Sequence, residues 1–322
     1  LDFDRTLSNI SMVVHYSPES KLRDGRHGSG LHMLSGKAVM ADNTPCQSGR
    51  KMSACPDHML TYPPNCDERC IKFDQFMAGK LAEVEHLVEQ FQITTGQLKY
   101  SMVPTVAAVD GLALGGGCEF VMHCDRAVAT LESYIGLVEV GVGLLPAGGG
   151  CKEFALRAAQ EAKGGDAFPF LRRYFESVAM AQVGLSAEHA REIGYLRASD
   201  RIVMNRFELL AIAKSEARAL AEGGYRPPLR ARDIPVLGRS AAATIKAFIA
   251  NMREGQFISE HDYLIAGKIA DIMCGGDVDS GSLVDEQWLL DLERKHFMEL
   301  LATEKTQARI EQMLKTGKPL RN

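Results

Sequence analysis

The fold class that this sequence predicts is an α/β core followed by a helical C-terminal half, and three observations predict it. Short apolar runs bounded by glycine and proline lie between residues 103 and 130. A glycine-rich turn and a helix start separate those runs. From Leu185 onward, apolar residues recur at three- and four-residue steps. Strand, glycine turn, helix, strand is the rhythm of an α/β core, and steps of three and four belong to amphipathic helices.

Along the chain, residues 1–71 come first. Prolines and glycines interrupt this stretch between Gly25 and Pro64, and no helical or alternating apolar period lasts. Four of the eight cysteines (Cys46, Cys55, Cys66 and Cys70) cluster there. An irregular or disordered segment is expected. Met77, Leu81, Val84, Val88, Phe91, Thr95 and Leu98 then predict an amphipathic helix. Pro104 opens a buried strand, Thr105 to Val109. A glycine turn follows, then the first turns of a buried helix over residues 118–123, then a strand from Arg126 to Thr130. Ser186 is a candidate N-cap for the next helix, and residues 205–221 predict another that Gly223-Gly224 ends. Residues 225–238, with Pro227, Pro228 and Pro235, read as a linker. Helices over 241–252 and 261–273 and one long helix over 284–315 complete the chain. The expected division is 1–71 irregular, 72–205 core, and 206–322 helical.

The bulk figures are ordinary for a soluble globular protein: 322 residues, 46% hydrophobic, 24% charged. A formal charge of −4 gives no reason to expect nucleic acid or an anionic membrane surface as partner. The apolar stretches over 103–114 and 135–145 are interrupted by Asp110 and Glu139, and neither is long enough for membrane insertion. The opening Leu1-Asp2-Phe3-Asp4 has no basic and no apolar leader region, so no secretory signal is expected, and a start at Leu suggests a fragment of a longer protein. Eight cysteines in no compact framework suggest reduced thiols in a cytoplasmic protein.

Two segments carry the chemistry. The first is V-P-T-V-A-A-V-D-G-L-A-L-G-G-G-C-E-F, from Val103 to Phe120; the second is Y-I-G-L-V-E-V-G-V-G-L-L-P-A-G-G-G, from Tyr134 to Gly150. Gly115-Gly116-Gly117 lets backbone approach a ligand with no Cβ in the way. A helix beginning there points its first N–H groups outward, a ready site for an anion or a developing oxyanion. Glu119 falls on the first turn of that helix. Glu139 sits among Leu137, Val138, Val140 and Val142, where a carboxylate is costly unless paired or functional. Two carboxyl groups beside an apolar pocket can divide acid and base roles, since desolvation raises a carboxyl pKa.

At these residues the sequence resembles the crotonase family, the enoyl-CoA hydratases and isomerases. The run A-L-G-G-G-C-E, a glutamate 20 positions after Glu119 at Glu139, and then G-x-x-P-x-x-G-G form the family's most specific signature. The resemblance runs from about Phe76 to the end and includes L-S-A-E-H-A-R-E-I-G-Y from Leu185 to Tyr195. It implies a core of repeated ββα turns, with its N-terminal part incomplete here. It implies that Gly116 N–H is one of two donors to the thioester oxygen and that Leu114, Gly115, Gly117, Pro146 and Gly148 line the substrate. Glu119 holds and activates water, and Glu139 passes a proton to C2. Both acids together favour hydratase over isomerase. The substrate implied is an acyl-CoA thioester, so CoA arrives with it and no separate cofactor or metal is implied. The second oxyanion donor is implied in a loop before residue 77, where Met40-Ala41-Asp42 is the nearest echo. Residues 160–183, the helical tail and the ending T-G-K-P-L-R-N resemble the hydratase part of bifunctional 3-hydroxyacyl-CoA dehydrogenase/enoyl-CoA hydratases of fatty-acid β-oxidation. Dehydrogenase domains and further copies of the chain are thus the implied partners. No strand-borne G-x-G-x-x-G precedes the core.

Blander readings stand beside these. A hydratase-like piece with a structural role, lacking the second oxyanion donor, or an isomerase fits the same motif. Gly148-Gly149-Gly150 suits close helix packing better than a phosphate cradle. His123, four residues after Glu119, reads as a satisfied core or surface histidine before a partner of the acid. The Cys46, Cys55, Cys66 and Cys70 group with His58 lacks a C-x-x-C pair and reads as free thiols, not zinc ligands. Arg226, Arg230 and Arg232 read as a solvated linker. Trp288, Leu292, Phe297 and Leu301 read as packing.

Overall fold

The computed structural model describes residues 13–17, 30–34 and 81–322. In chain order its elements are β1 (Val13–Ser17), β2 (Gly30–Leu34), α1 (Leu81–Lys99), β3 (Thr105–Val109), β4 (Leu112–Leu114), α2 (Gly116–His123), β5 (Arg126–Thr130), β6 (Tyr134–Gly136), α3 (Gly150–Ala162), α4 (Phe168–Ala179), α5 (Ala187–Glu192), β7 (Arg201–Val203), α6 (Leu209–Glu222), β8 (Ile234–Pro235), α7 (Gly238–Glu254), α8 (Glu260–Met273), β9 (Leu283–Val284), α9 (Glu286–Leu301) and α10 (Glu304–Thr316). They form two compact units. A sheet unit takes the described residues up to Ile135 and Gly184–Leu229, and a helical unit takes Gly136–Val183 and Arg230–Asn322.

In the sheet unit the strand order is β2-β1-β3-β5-β7. β1 runs antiparallel to β2, with Val13 opposite Leu34, and antiparallel to β3, with Val13 opposite Ala107. β3, β5 and β7 are parallel, with Val106 opposite Arg126 and Val128 opposite Arg201. Parallel strands are covered on both faces, which is why T-V-A-A-V is a continuous apolar run with every residue buried. Leu209, Ala213 and Ala217 of α6, spaced one turn apart, pack on Val106, Ala108, Val128 and Val203. α1 packs on α2, where the Phe91 and Phe120 rings meet at 5.5 Å. β1 and β2 lie inside residues 1–71, where the sequence predicts irregular structure. Each strand is five residues long, and the histidine at its centre blurs the apolar alternation.

Side-chain acceptors fix the sheet loops. Asp125 Oδ2 accepts from Thr105 N–H at 2.7 Å and from its hydroxyl at 3.1 Å, tying the start of β3 to the start of β5. Buried Asp200 accepts from Ala127 N–H at 2.8 Å and Arg197 N–H at 2.6 Å. The loop ahead of β7 is thereby tied to β5.

In the helical unit α8 is apolar on nearly every side, with Ile265, Ile269, Ile272 and Met273 all fully buried, so it is the central helix. A reciprocal capping box between Ser259 and Asp262 starts it. Phe154 of α3 stacks on Tyr174 of α4 at 4.6 Å. β8 and β9 pair with Ile234 opposite Val284, over Ala155, Leu156 and Leu289. The single long helix predicted over 284–315 is two helices. Thr303 breaks it: its hydroxyl donates to Leu300 O at 2.7 Å and accepts from Thr306 N–H at 3.3 Å, an N-cap that the heptad-like apolar pattern hides. No helix among the described residues is long and apolar enough to cross a membrane. The described residues thus form a mixed α/β fold with a β-sheet core and a helical C-terminal region.

Candidate active site

The first glycine turn belongs to the sheet unit. Gly115 precedes α2 with φ 58° and ψ −130°, a backbone state that a side chain excludes. The first bond inside the helix runs from Glu119 N–H to Gly115 O at 3.1 Å. The N–H groups of Gly116 and Gly117 therefore precede the first intrahelical donor, Glu119 N–H, and the helix dipole adds partial positive charge there. Gly115 has no side chain with which to cap them. Leu114, Gly115 and Gly116 are half-buried and Gly117 is buried. Glu119, one turn in, is only 1% exposed. His123 Nδ1 donates to the backbone carbonyl of Glu119 at 2.7 Å, which makes it the satisfied core histidine of the first reading.

The second glycine turn belongs to the helical unit. Glu139 is half-buried and opens a 3₁₀ turn, Glu139–Val142. Gly143 ends the turn at φ 86°, and Leu144 N–H donates to Glu139 O at 3.0 Å. Two side chains of α10 hold this turn by its carbonyls. Thr306 Oγ1 donates to Gly143 O at 2.7 Å, and Arg309 Nη1 donates to Val140 O at 3.2 Å. The approach is close: a Cβ on Gly143 would meet Thr306 Cα at 2.9 Å.

A buried network stands behind those two residues. Arg309, with no exposed surface, also donates to Asp262 Oδ1 at 2.7 Å and Ser259 Oγ at 3.1 Å, while Arg321 reaches Asp262 at 3.1 Å. Burial works against the charge on Asp262, but the hydrogen bonds and charge of Arg309 outweigh it and hold the carboxyl below its usual pKa. His261 Nε2 lies 2.8 Å from Thr306 Oγ1. The Thr306 hydroxyl proton goes to Gly143 O, so Thr306 accepts from His261, and the neutral imidazole carries its proton on Nε2. Burial, with Arg309 and Lys305 nearby, pushes the pKa of His261 down to about 4.

Downstream of this turn, Pro146 and Gly148 are buried. The N-terminus of α3 that follows is occupied by a carboxylate of the protein itself. Glu293 of α9 accepts from Gly149 N–H at 2.9 Å and Lys152 N–H at 2.7 Å. Gly148-Gly149-Gly150 is therefore a packing turn with its own anion, and the phosphate-cradle reading is set aside. Lys152 joins the same cluster through Glu153 and Glu286. Burial alone would lower its pKa, but these carboxylates together with Glu293 raise it.

The structure thus gathers Leu114, Gly115, Gly116, Gly117 and Glu119 at one turn of the sheet unit. It gathers Glu139, Pro146 and Gly148 along one stretch of the helical unit. Met40-Ala41-Asp42, the N-terminal cysteines and His58 lie outside the described residues. Among the described residues no cluster of His, Cys, Asp and Glu has the makings of a metal site. Arg226, Arg230 and Arg232 are exposed, as a solvated linker requires. Sequence reasoning missed Thr306, Arg309, Asp262 and Glu293. Their signal is faint: each is a polar residue on the apolar face of its helix.

Comparison with known proteins finds similarity over part of the chain. The family model described as enoyl-CoA hydratase/isomerase matches residues 72–167. A Bacillus subtilis protein named "Probable 3-hydroxyacyl-CoA dehydrogenase" is 42% identical over 240 residues, 74% of this chain and 30% of that protein. The chain thus spans less than a third of that relative's length. Human mitochondrial methylglutaconyl-CoA hydratase is 42% identical over 69 residues, 21% of this chain and 20% of that protein. Among solved structures, an enoyl-CoA hydratase/isomerase from Xanthobacter autotrophicus is similar, with 19% identity, coverage of 76% of this chain and 69% of that one, and a TM-score of 0.41. Both glycine turns and both glutamates lie inside the residues matched by that family model, and over 72–167 the chain is similar to the enoyl-CoA hydratase/isomerase family.

Proposed function

We propose that this chain is an enoyl-CoA hydratase, adding water reversibly across the 2,3 double bond of a trans-2-enoyl-CoA to give a 3-hydroxyacyl-CoA. The observation that carries the reading is the start of α2. Gly115 takes a glycine-only backbone, Gly116 and Gly117 follow with N–H groups ahead of the helix's first intrahelical donor, and Glu119 is buried one turn later. Such a terminus stabilises charge that develops on a thioester oxygen when C3 is attacked. In this reading Gly116 N–H donates to that oxygen. Glu119 takes a proton from water as its oxygen bonds to C3, and Glu139 delivers a proton to C2. The product gains the water's OH at C3 and Glu139's proton at C2; Glu119 is left protonated and Glu139 ionised, proton exchange with solvent resets the pair, and no electron carrier is needed. Leu114, Gly115, Gly117, Pro146 and Gly148 line the acyl-CoA.

The match to under a third of a protein named as a dehydrogenase supports placing this hydratase within a longer bifunctional protein of fatty-acid β-oxidation. Among the described residues no disulfide joins Cys118, Cys124, Cys151 and Cys274, and the cytoplasm is the compartment proposed for the chain.

The test is turnover of a short trans-2-enoyl-CoA by the chain and by its Glu119→Gln and Glu139→Gln variants. General acid–base catalysis contributes about 10²–10⁴-fold, so each variant loses at least about 100-fold in kcat. Undiminished turnover in both variants ends the assignment. No acyl-CoA binding by calorimetry and no turnover in the parent chain, with both glutamates intact, assigns it a structural role instead.

A further inference from the structure

We propose that α10 is the positioning element of Glu139, acting through Thr306 and Arg309 on the two carbonyls of the turn that carries it. This rests on the hydratase reading above, in which Glu139 is an acid–base residue. The turn Glu139–Val142 is short: Gly143 and Leu144 N–H close it on Glu139 O, and its later carbonyls, Val140 O and Gly143 O, are also held from outside. Thr306 Oγ1 reaches Gly143 O at 2.7 Å, and Arg309 Nη1 reaches Val140 O at 3.2 Å. These two anchors sit after the turn's first residue and at its end, and both donors stand one helical turn apart on one face of α10.

The donors are themselves fixed. Arg309 is held by Asp262, Ser259 and the Asn322 side chain, whose Oδ1 accepts from Nε at 2.8 Å. Thr306 is oriented by His261 Nε2–H at 2.8 Å. Both Thr306 and Arg309 have no exposed surface. Gly143 completes the fit, because its missing Cβ is what lets the backbone of α10 approach. Asp262 and His261 begin α8, so α8 and α10 together form the mount, and neither Thr306 nor Arg309 touches substrate. A positioning residue of this kind acts on kcat, since an acid displaced by about 1 Å loses up to about 10²-fold in rate with binding retained.

The experiment compares kcat and KM for a short enoyl-CoA across Thr306→Val, Thr306→Ser, Arg309→Lys and Glu139→Gln, with amide hydrogen exchange at Leu144, whose N–H is bonded to Glu139 O. Thr306→Val keeps the shape of the side chain and removes the donor. It lowers kcat about tenfold, leaves KM within about twofold and speeds exchange at Leu144. Thr306→Ser restores both. Arg309→Lys keeps the charge beside Asp262, gives up the bond to Val140 O and lowers kcat in the same way. Wild-type kcat and exchange in Thr306→Val, or equal losses in Thr306→Val and Thr306→Ser, overturn the proposal while leaving the hydratase reading intact. A parent chain without turnover, or Glu139→Gln at full turnover, overturns both.

Discussion

Replacing His261 by glutamine removes one titration and little else, and the structure gives the size of the effect. His261 is 2% exposed and donates from Nε2 to Thr306. A glutamine amide keeps a donor at that reach. The folded imidazole protonates only near pH 4, because burial, Arg309 and Lys305 outweigh the attraction of Asp262. In the unfolded chain it protonates near 6.5. Between those two values the unfolded state holds the extra proton, so stability is fully present above pH 6.5 and falls as pH drops toward 4. At about 1.4 kcal/mol per pH unit, the full loss is about 3 kcal/mol, of which about 2 kcal/mol has gone by pH 4.5. Trp288 is the chain's one tryptophan, and it sits in the same unit on α9. Urea unfolding followed by its fluorescence at pH 7 and pH 4.5 therefore reads the right structure. The parent chain loses about 2 kcal/mol more over that interval than His261→Gln. His296, also held below its ordinary value by burial, and Asp262 titrate in both proteins and cancel in the comparison. Equal losses in the two proteins, or an imidazole resonance of His261 titrating near 6.5, refute the assignment of this network.

Two further outcomes follow from backbone and burial. Gly143→Ala combines a left-handed backbone, about 1–2 kcal/mol for a side chain, with a contact on the backbone of α10, whereas Gly281→Ala at φ 83° has open space and incurs only the strain. Thermal or urea unfolding of the pair should show Gly143→Ala the less stable by at least about 1 kcal/mol, the loss of the Thr306 bond; equal destabilisation denies the close approach. Cys124 and Cys274 have thiols pushed up to about 12, chiefly by burial, so an aromatic disulfide reagent at pH 8 should modify neither until the protein is unfolded, as peptide mapping checks. Rapid native labelling at either position contradicts the burial described.

The motif-bearing half of the site was legible because its chemistry leaves local marks. Gly115 must be glycine for its backbone, and a glycine triplet before Cys118-Glu119 announces a helix start in four letters. Strands β3 and β5 were legible at their ends because parallel, doubly covered strands are unbroken apolar runs. What was hidden depends on long-range partners. Glu293 caps α3 from 141 positions beyond Lys152, and Arg309 holds Val140 from 169 positions beyond it. No periodicity encodes such pairings, and a polar residue on a helix's inner face reads simply as a blemish in the pattern. The break at Thr303 was hidden for a related reason. A threonine flanked by helix formers looks tolerable within a helix until its hydroxyl is seen capping the next one. β1 and β2 are too short to rise above their surroundings.

The proposed reaction is water addition to an enoyl thioester by Glu119 and Glu139. The most direct measurement is mass spectrometry of the product formed from a short trans-2-enoyl-CoA in ¹⁸O-labelled water. The account predicts a 3-hydroxyacyl-CoA that carries one solvent oxygen at C3, formed by the parent chain and suppressed in Glu119→Gln and Glu139→Gln. A product with a migrated double bond and no solvent oxygen contradicts it.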